Sequence, residues 1–169
     1  YFLVKGKFEI NSKYFIEKIE EGIKDSQMNF RTHVKGFMTP WKYFINDNEI
    51  YNHLFEIFDF IDKNLNPPPY TLVDIWGFKH VNGSKTTEHD HRPSLYSGVI
   101  YLTEGEDLYF PEIKETVKCE PGSFAIFSAD LRHGCDRNLS NNARYGISFN
   151  IMDNGQLGTG ATHGNPFDT

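Results

Sequence analysis

The chain has 169 residues, of which 38% are hydrophobic and 15% aromatic, and its formal net charge is -6. This length suits one domain with a sizeable core, and the aromatic content excludes a disordered chain and favours a β-rich one. The negative charge gives no general attraction to nucleic acid or to an anionic membrane, so we expect neither as a partner.

The cysteine content favours a cytoplasmic protein. Only Cys119 and Cys135 are present, whereas small secreted domains are often rich in disulfides. No apolar run approaches the roughly 20 residues of a membrane helix, and no signal peptide is visible. We therefore expect a cytoplasmic location.

The first part of the chain predicts two strands and a short helix. Loose apolar alternation predicts a strand over Phe2–Ile10, interrupted at Gly6. Asn11 or Ser12 is a suitable cap for a short amphipathic helix. Its apolar positions at helical spacing are Phe15, Ile16, Ile19 and Ile23. A second strand is predicted over Arg31–Met38.

The strongest helix signal runs from Asp47 to Leu65. Asn46 followed by Glu49 resembles a capping box at its start. Pro67, Pro68 and Pro69 end it, since proline lacks the N–H that a helix needs. The apolar stripe consists of Ile50, Leu54, Ile57, Phe58, Ile61 and Leu65. Such a stripe predicts a helix packed against the back of a sheet.

After the prolines, the pattern changes to short strands separated by turns. The predicted strands are Tyr70–Lys79, Leu95–Leu102, Asp107–Phe110, Thr116–Cys119, Ser123–Phe127, Leu131–His133 and Arg144–Met152. Short strands at regular spacing favour a barrel or a sandwich. We therefore predict one domain, with N-terminal strands and helices over residues 1–69 and a β core over 70–152. A Gly-rich tail, which we expect to be irregular, covers 153–169.

His89 and His91 form the most informative motif. On an extended backbone residues i and i+2 point to the same face, so both imidazoles can reach one point while Asp90 faces away. Two converging imidazoles form half of a metal site.

His133 and Arg144 complete a possible site. His133 follows His91 by 42 positions, and Arg144 begins the last predicted strand. Three imidazoles on one face of Fe(II) would leave about three positions open, which O₂ and a bidentate ligand require. An arginine on a neighbouring strand would offer a forked, permanently charged partner for the far carboxylate of a keto acid.

In combination these motifs resemble the 2-oxoglutarate- and iron(II)-dependent oxygenases. The resemblance covers roughly Tyr70 to Met152. The matching motifs are His89-x-His91, Ser97-Gly98-Val99-Ile100-Tyr101-Leu102, Pro121-Gly122-Ser123-Phe124-Ala125-Ile126-Phe127, His133 and Arg144-Tyr145-Gly146-Ile147-Ser148-Phe149-Asn150. They are most similar to a small group of that superfamily with an H-x-H pattern, a distal histidine and R-x-x-x-S-F-N.

The resemblance implies a mainly β fold with flanking helices, a double-stranded β-helix or jelly roll with the N-terminal helices packed on one sheet. It implies that His89, His91 and His133 hold catalytic Fe(II) and that Arg144 binds the distal carboxylate of 2-oxoglutarate. Ser97 is a further candidate for a contact to this cosubstrate. The implied reaction uses O₂, releases succinate and CO₂, and hydroxylates an unactivated C–H bond of a small-molecule or peptidyl substrate.

Three alternatives stay open at the sequence level. Most of the superfamily has a carboxylate where this chain has His91, so Asp90 or Glu88 is an alternative ligand that would require a local kink in the strand. A cupin would share the fold and the histidines without needing Arg144, but the glutamate of the cupin pattern is absent. A non-catalytic jelly-roll binding module with structural Zn²⁺ would need a fourth ligand, and none stands out.

Overall fold

Two antiparallel sheets make up most of the structure, a computed structural model that describes residues 1–24 and 34–158. The N-terminal elements are β1 (Leu3–Lys7), α1 (Ser12–Lys24), β2 (Val34–Lys35), β3 (Phe37–Met38) and α2 (Asn48–Asn64). The strand predicted over Arg31–Met38 is therefore divided at Gly36, and its first three residues lie outside the described part of the chain.

The remaining strands follow one another with short connections. They are β4 (Tyr70–His80), β5 (Lys85–His89), β6 (Tyr96–Tyr101), β7 (Leu108–Phe110), β8 (Glu115–Val117), β9 (Ser123–Ser128), β10 (His133–Cys135) and β11 (Arg144–Asp153). A short helix, α3 (Asn154–Gly158), comes next. The sequence did not predict β5, because Lys85–His89 is polar and has no clear apolar alternation.

The tail begins more regularly than the sequence suggested. We expected an irregular segment from Asp153, but β11 includes this residue and α3 follows directly. The remainder of the tail, residues 159–169, lies outside the described part of the chain.

The strand order is that of a jelly roll. One sheet has the order β1-β9-β6-β11-β4-β3, and the other has the order β2-β5-β10-β7-β8. The N-terminal strands extend both sheets, since β1 pairs with β9, β2 with β5 and β3 with β4. The long β4–β11 pairing places Arg144 opposite His80.

The six-stranded sheet separates two apolar cores. The core on its outer face contains the buried residues of α1 and α2, which pack on alternate strand residues such as Ile100 and Phe149. The core on its inner face lies between the two sheets and contains Trp76, Tyr101 and Phe127. The predicted placement of the helices on one sheet is thus confirmed, and the inner core is the region where the candidate site lies.

Gly77 lets α1 approach the sheet closely. A Cβ atom at this position would lie 2.3 Å from Cγ1 of Ile19, a residue of α1 that is fully buried. Such a separation is far below a van der Waals contact, so any larger residue would push the helix away.

The start of α2 differs by one residue from the sequence-based expectation. Asp47, rather than Asn46, is the N-cap, and its Oδ1 accepts a hydrogen bond of 2.9 Å from the backbone N–H of Ile50. Both residue types are good caps, so sequence alone could not decide between adjacent positions.

Within the described residues, no helix combines the length and apolar character needed to cross a bilayer.

Candidate metal centre

Strand pairing brings two of the predicted ligands face to face. His89 ends β5 and is the direct partner of His133, the first residue of β10. Their imidazole ring centroids are 4.5 Å apart. The five-stranded sheet therefore determines the relative position of these two side chains.

His91 reaches the same point from the turn after β5. Its backbone N–H donates a 2.7 Å hydrogen bond to the carbonyl of Ala129, which holds the turn against the chain just before β10. Its Nε2 lies 3.1 Å from Nε2 of His133, and their rings are nearly parallel, at 9°. The i, i+2 spacing thus brings His89 and His91 together as predicted, although β5 itself ends at His89.

The three histidines form a compact group of potential ligands. Their available nitrogen atoms all lie within 4.8 Å of one another, and all three residues are buried. In the described part of the chain, no other His, Cys, Asp or Glu joins this group. A closed structural zinc site has four protein ligands, whereas the described residues offer three here. The group therefore resembles an open metal site more closely.

Backbone carbonyls orient two of the rings. Nδ1 of His89 lies 2.8 Å from the carbonyl of Thr87, and Nδ1 of His133 lies 3.0 Å from that of Leu131. A carbonyl can only accept, so Nδ1 carries the proton and Nε2 presents a lone pair. This arrangement is how proteins prepare histidine for metal binding.

The environment keeps His133 neutral. Burial lowers the pKa of His133 well below its ordinary value, and the nearby His89 lowers that pKa further. Neutral imidazole is the form that binds a metal. The site is therefore ready to accept a cation without first losing a proton from this residue.

The alternative carboxylate ligands lie elsewhere. Asp90 accepts from the backbone N–H of Arg92 and forms an ion pair of 2.9 Å with its guanidinium. Glu88 faces Arg132 at 3.8 Å, with about 41% of its side chain exposed. Neither carboxylate belongs to the histidine group, so the chain does not make the kink that the alternative required.

A cavity of about 70 Å³ connects the histidines to the inner core. Its remaining walls are mostly apolar or aromatic. They include Met38, Trp76, Phe78, Val99, Tyr101, Leu108 and Phe127, with His80, Cys135 and Arg144 among the polar residues. A few polar groups in an apolar pocket are typical of a small-molecule site.

Arg144 lies in this cavity with an unusual set of neighbours. It is 2% exposed, and its guanidinium carbon lies 4.7 Å from the ring centroid of Tyr101. Among the described residues no carboxylate pairs with it, and its Nε has no hydrogen-bond partner. A buried cation of this kind is costly unless an anion joins it. Arg144 is therefore a suitable anchor for a bound carboxylate.

Sequence reasoning missed His80. It is 4% exposed, lines the cavity, and places Nδ1 at 3.1 Å from Nη1 of Arg144. Burial, with a further contribution from Arg144, lowers the pKa of His80 to about 3. A lone histidine gives no signal of its own. The antiparallel pairing of the first and last core strands would have been needed to find it.

Ser97 lies away from the cavity lining. Its hydroxyl donates a 2.7 Å hydrogen bond to Oδ1 of Asn150, whose amide donates in turn to the carboxylate of Asp74 at 3.4 Å. These residues form a buried polar chain across three neighbouring strands. The contact of Ser97 with a cosubstrate stays a prediction. In this structure its hydroxyl is engaged in a hydrogen bond to Asn150.

Among the described residues, the remaining histidine, His53, does not enter the site. His53 lies on α2 and packs against Phe8, with ring centroids 4.5 Å apart. His33 and His163 lie outside the described residues. The contact of His53 with Phe8 is that of an ordinary packed residue.

Comparison with solved structures places this fold among known proteins. A viral collagen prolyl hydroxylase from Paramecium Bursaria Chlorella virus-1, solved with 2-oxoglutarate, superimposes with a TM-score of 0.66 at 15% identity and covers 89% of this chain and 96% of its own. A Pseudomonas putida prolyl-4-hydroxylase gives 0.68 at 13% identity, with coverages of 89% and 91%.

A third similar structure has a different reaction. The non-heme alpha-ketoglutarate-dependent carbocyclase SnoK, from nogalamycin biosynthesis, gives a TM-score of 0.68 at 14% identity and covers 89% of this chain and 79% of its own. No protein-family model and no curated protein sequence matches the chain. At these identities the likeness defines the class of fold. The predicted jelly roll is confirmed as the fold that prolyl hydroxylases and related oxygenases share.

Proposed function

We propose that this protein is an Fe(II)- and 2-oxoglutarate-dependent oxygenase that hydroxylates an unactivated C–H bond. One observation carries the proposal. Three buried histidines converge in the same apolar cavity as a buried arginine that has no carboxylate partner among the described residues. A metal site alone would not explain the arginine, and an anion site alone would not explain the histidines.

The donor set fits Fe(II). His89 and His133 present Nε2 lone pairs, since their Nδ1 atoms face backbone carbonyls, and His91 completes the face. Three imidazoles leave positions open for a bidentate cosubstrate. When bound, iron and 2-oxoglutarate would supply the electrons that activate O₂, the oxidant, for attack on a C–H bond.

The chain itself contributes binding, orientation and exclusion of water. The three histidines would hold the metal through ring nitrogens, without adding negative charge. Arg144 binds the distal carboxylate of the keto acid, which fixes its reactive end towards the histidines. Apolar walls such as Phe127 and Val99 limit the entry of water. Arg144 distinguishes this proposal from a cupin, in which the arginine would have no function.

The substrate and the cellular location can be proposed only in general terms. The similar structures include prolyl hydroxylases and a carbocyclase, so the fold does not choose between a peptidyl and a small-molecule substrate. We propose a cytoplasmic location, which is supported by the free thiols of Cys119 and Cys135.

Uncoupled turnover offers the direct test. The purified protein with Fe(II), 2-oxoglutarate and O₂ should release succinate even without a prime substrate, because cosubstrate oxidation then proceeds slowly by itself. His133→Ala should abolish this release, whereas His53→Gln, a histidine change outside the cavity, should leave it unchanged. An iron-loaded wild-type protein that neither binds 2-oxoglutarate nor releases succinate would contradict the proposal.

A further inference from the structure

We propose that the prime substrate carries one negative charge beside the C–H bond that is oxidised, and that His91 creates this preference by taking the place of a carboxylate ligand. The inference rests on the proposed function and names the class of its substrate. Its basis is the balance of charge in the cavity, where three uncharged ligands and a buried Arg144 face no carboxylate from the described part of the chain.

The three histidines add no charge to the metal that they would hold. An imidazole must be unprotonated at the nitrogen that binds a metal, so a ligating histidine is neutral. Most of the superfamily that the motifs resemble has a carboxylate at the position of His91, and such a ligand cancels one charge of Fe(II). Here Nε2 of His91 lies 3.1 Å from Nε2 of His133, whereas Asp90 forms an ion pair with Arg92. The centre would therefore keep both positive charges of Fe(II).

The surrounding protein does not balance this charge. None of the described residues that line the cavity is an Asp or a Glu. The acidic residues beside the histidines in sequence, and the buried one on β4, each have a cationic partner: Glu88 with Arg132, Asp90 with Arg92 and Asp74 with Lys42. Arg144 adds a further positive charge, is 2% exposed and forms no ion pair with a described residue. The described protein therefore adds to the positive charge of the cavity.

Binding of 2-oxoglutarate leaves one positive charge in the cavity. Fe(II) and Arg144 together carry three positive charges, and the two carboxylates of the cosubstrate carry two negative ones. A carboxylate ligand in place of His91 would make the total zero. An unbalanced charge in an apolar cavity is unfavourable, and walls such as Trp76 and Val99 are apolar here. A monoanion beside the metal would restore the balance.

The anion belongs to the substrate rather than to the solvent. Three imidazoles and a bidentate cosubstrate leave one position on iron, which O₂ needs. A free halide ion could approach the metal only by taking this position, because the remaining walls are mostly apolar. A carboxylate that is part of the substrate can lie beside the metal while the rest of the molecule packs against those walls. We therefore expect a carboxylate-bearing substrate whose reactive C–H bond is close to that group.

Acetate and acetamide, which have nearly the same shape but differ in charge, provide the first test. The Co(II)-loaded wild-type protein is saturated with 2-oxoglutarate, and the paramagnetic relaxation of the methyl protons of each probe reports its binding near the metal. Acetate should bind about 10-fold or more tightly than acetamide, because only acetate gains from the remaining charge. Equal affinities, no saturable effect of either probe, or tighter binding of chloride than of acetate in competition would each overturn the inference.

His91→Asp is the matched variant, because it supplies the carboxylate that most of the superfamily has. It should still bind Co(II) and 2-oxoglutarate, but its affinity for acetate should fall by about 10-fold or more. His53→Gln, outside the cavity, should keep the wild-type affinity. Unchanged acetate affinity in a His91→Asp protein with full metal and cosubstrate content would overturn the role of His91. If this variant does not hold the metal, the comparison of the two probes in the wild-type protein decides.

Failure of the proposed function would be seen separately. Calorimetry measures 2-oxoglutarate binding to the Co(II)-loaded wild-type protein before either probe is added. No binding at this stage would contradict the proposed function, whereas normal binding followed by equal affinities for acetate and acetamide would overturn only the inference about the substrate.

Discussion

The Nε2 atoms of His91 and His133 lie 3.1 Å apart, although 42 positions of sequence separate the residues. Two features of the fold produce this closeness. Strand β10 pairs with β5 so that His133 faces His89, and the turn after β5 is tied to Ala129 by the backbone N–H of His91. Two ring nitrogens at this separation, both turned towards one cavity, define where a cation would bind.

The ligand assignment can be tested by metal content. His91→Ala should remove most of the bound Fe(II), because it takes away one of the three nitrogens that converge among the described residues. Asp90→Ala should leave the metal content close to that of the wild type, since its carboxylate is paired with Arg92 and does not belong to the histidine group. Metal analysis after dialysis against equal Fe(II) gives the comparison. Loss of iron in Asp90→Ala alone would reverse the assignment.

Arg144 should be required for the cosubstrate but not for the metal. Arg144→Ala removes charge-assisted hydrogen bonds that contribute roughly 1.5–3 kcal/mol each, so 2-oxoglutarate affinity should fall by about 100-fold or more. Iron content should persist. Arg137→Ala is a matched control, because Arg137 is an exposed arginine whose Nη1 donates to the carbonyl of Gly83. Parallel loss of metal and cosubstrate in Arg144→Ala would show that Arg144 is structural.

Gly77 should be essential for the contact between α1 and the sheet. Gly77→Ala would place a methyl group 2.3 Å from Cγ1 of Ile19, and overpacking of this kind costs about 1–3 kcal/mol. The free energy of unfolding in urea should fall by that amount. Gly155→Ala, in which the nearest atom would be an Asp153 carboxylate oxygen at 3.2 Å, should change it little. Equal stability of Gly77→Ala and the wild type would contradict the close packing.

The network around Glu20 should make stability depend on pH. Burial alone would raise the pKa of Glu20, but hydrogen bonds from Lys79 and Tyr145 outweigh it and lower that pKa below the ordinary 4.5. The folded state therefore favours the ionised carboxylate. The stabilisation is present above pH 4.5 and declines as the pH falls through the lowered pKa.

Glu20→Gln tests this expectation. The variant should be less stable than the wild type at pH 7, and the difference should shrink as the pH falls below about 4.5. Thermal unfolding across this range gives the comparison. Because the Glu20 side chain is about 35% exposed, the effect should be modest and weaker in high salt. A difference that grows at low pH would show that the carboxylate is not stabilised by these partners.

Much of the fold could be predicted from local pattern. The stripe from Ile50 to Ile61 predicted α2 and its packing on a sheet, since only an amphipathic helix buries residues at that spacing. Most of the core strands were predicted because apolar residues alternate along them. Strand β5 was not, because it gains its order from β2 and β10 rather than from apolar residues of its own.

In the candidate site, too, local pattern predicted some residues, whereas others depend on contacts between distant strands. His89 and His91 could be paired from spacing, and His133 and Arg144 were candidates to which the resemblance gave definite roles. His80 could not be found, because its relation to Arg144 depends on the register of two strands that lie 64 positions apart. Ser97 lies on the same face of its strand as Val99 and Tyr101, yet its hydroxyl donates to Asn150. Spacing predicts which face a side chain occupies, but not which polar partner it finds there.

Anaerobic absorption spectroscopy tests the central claim most directly. Addition of 2-oxoglutarate to the Fe(II)-loaded protein should produce a visible metal-to-ligand charge-transfer band that saturates with one equivalent of cosubstrate per iron. His133→Ala should show no band, and Arg144→Ala should reach it only at much higher 2-oxoglutarate. A wild-type protein that binds Fe(II) but gives no band at saturating 2-oxoglutarate would contradict the account.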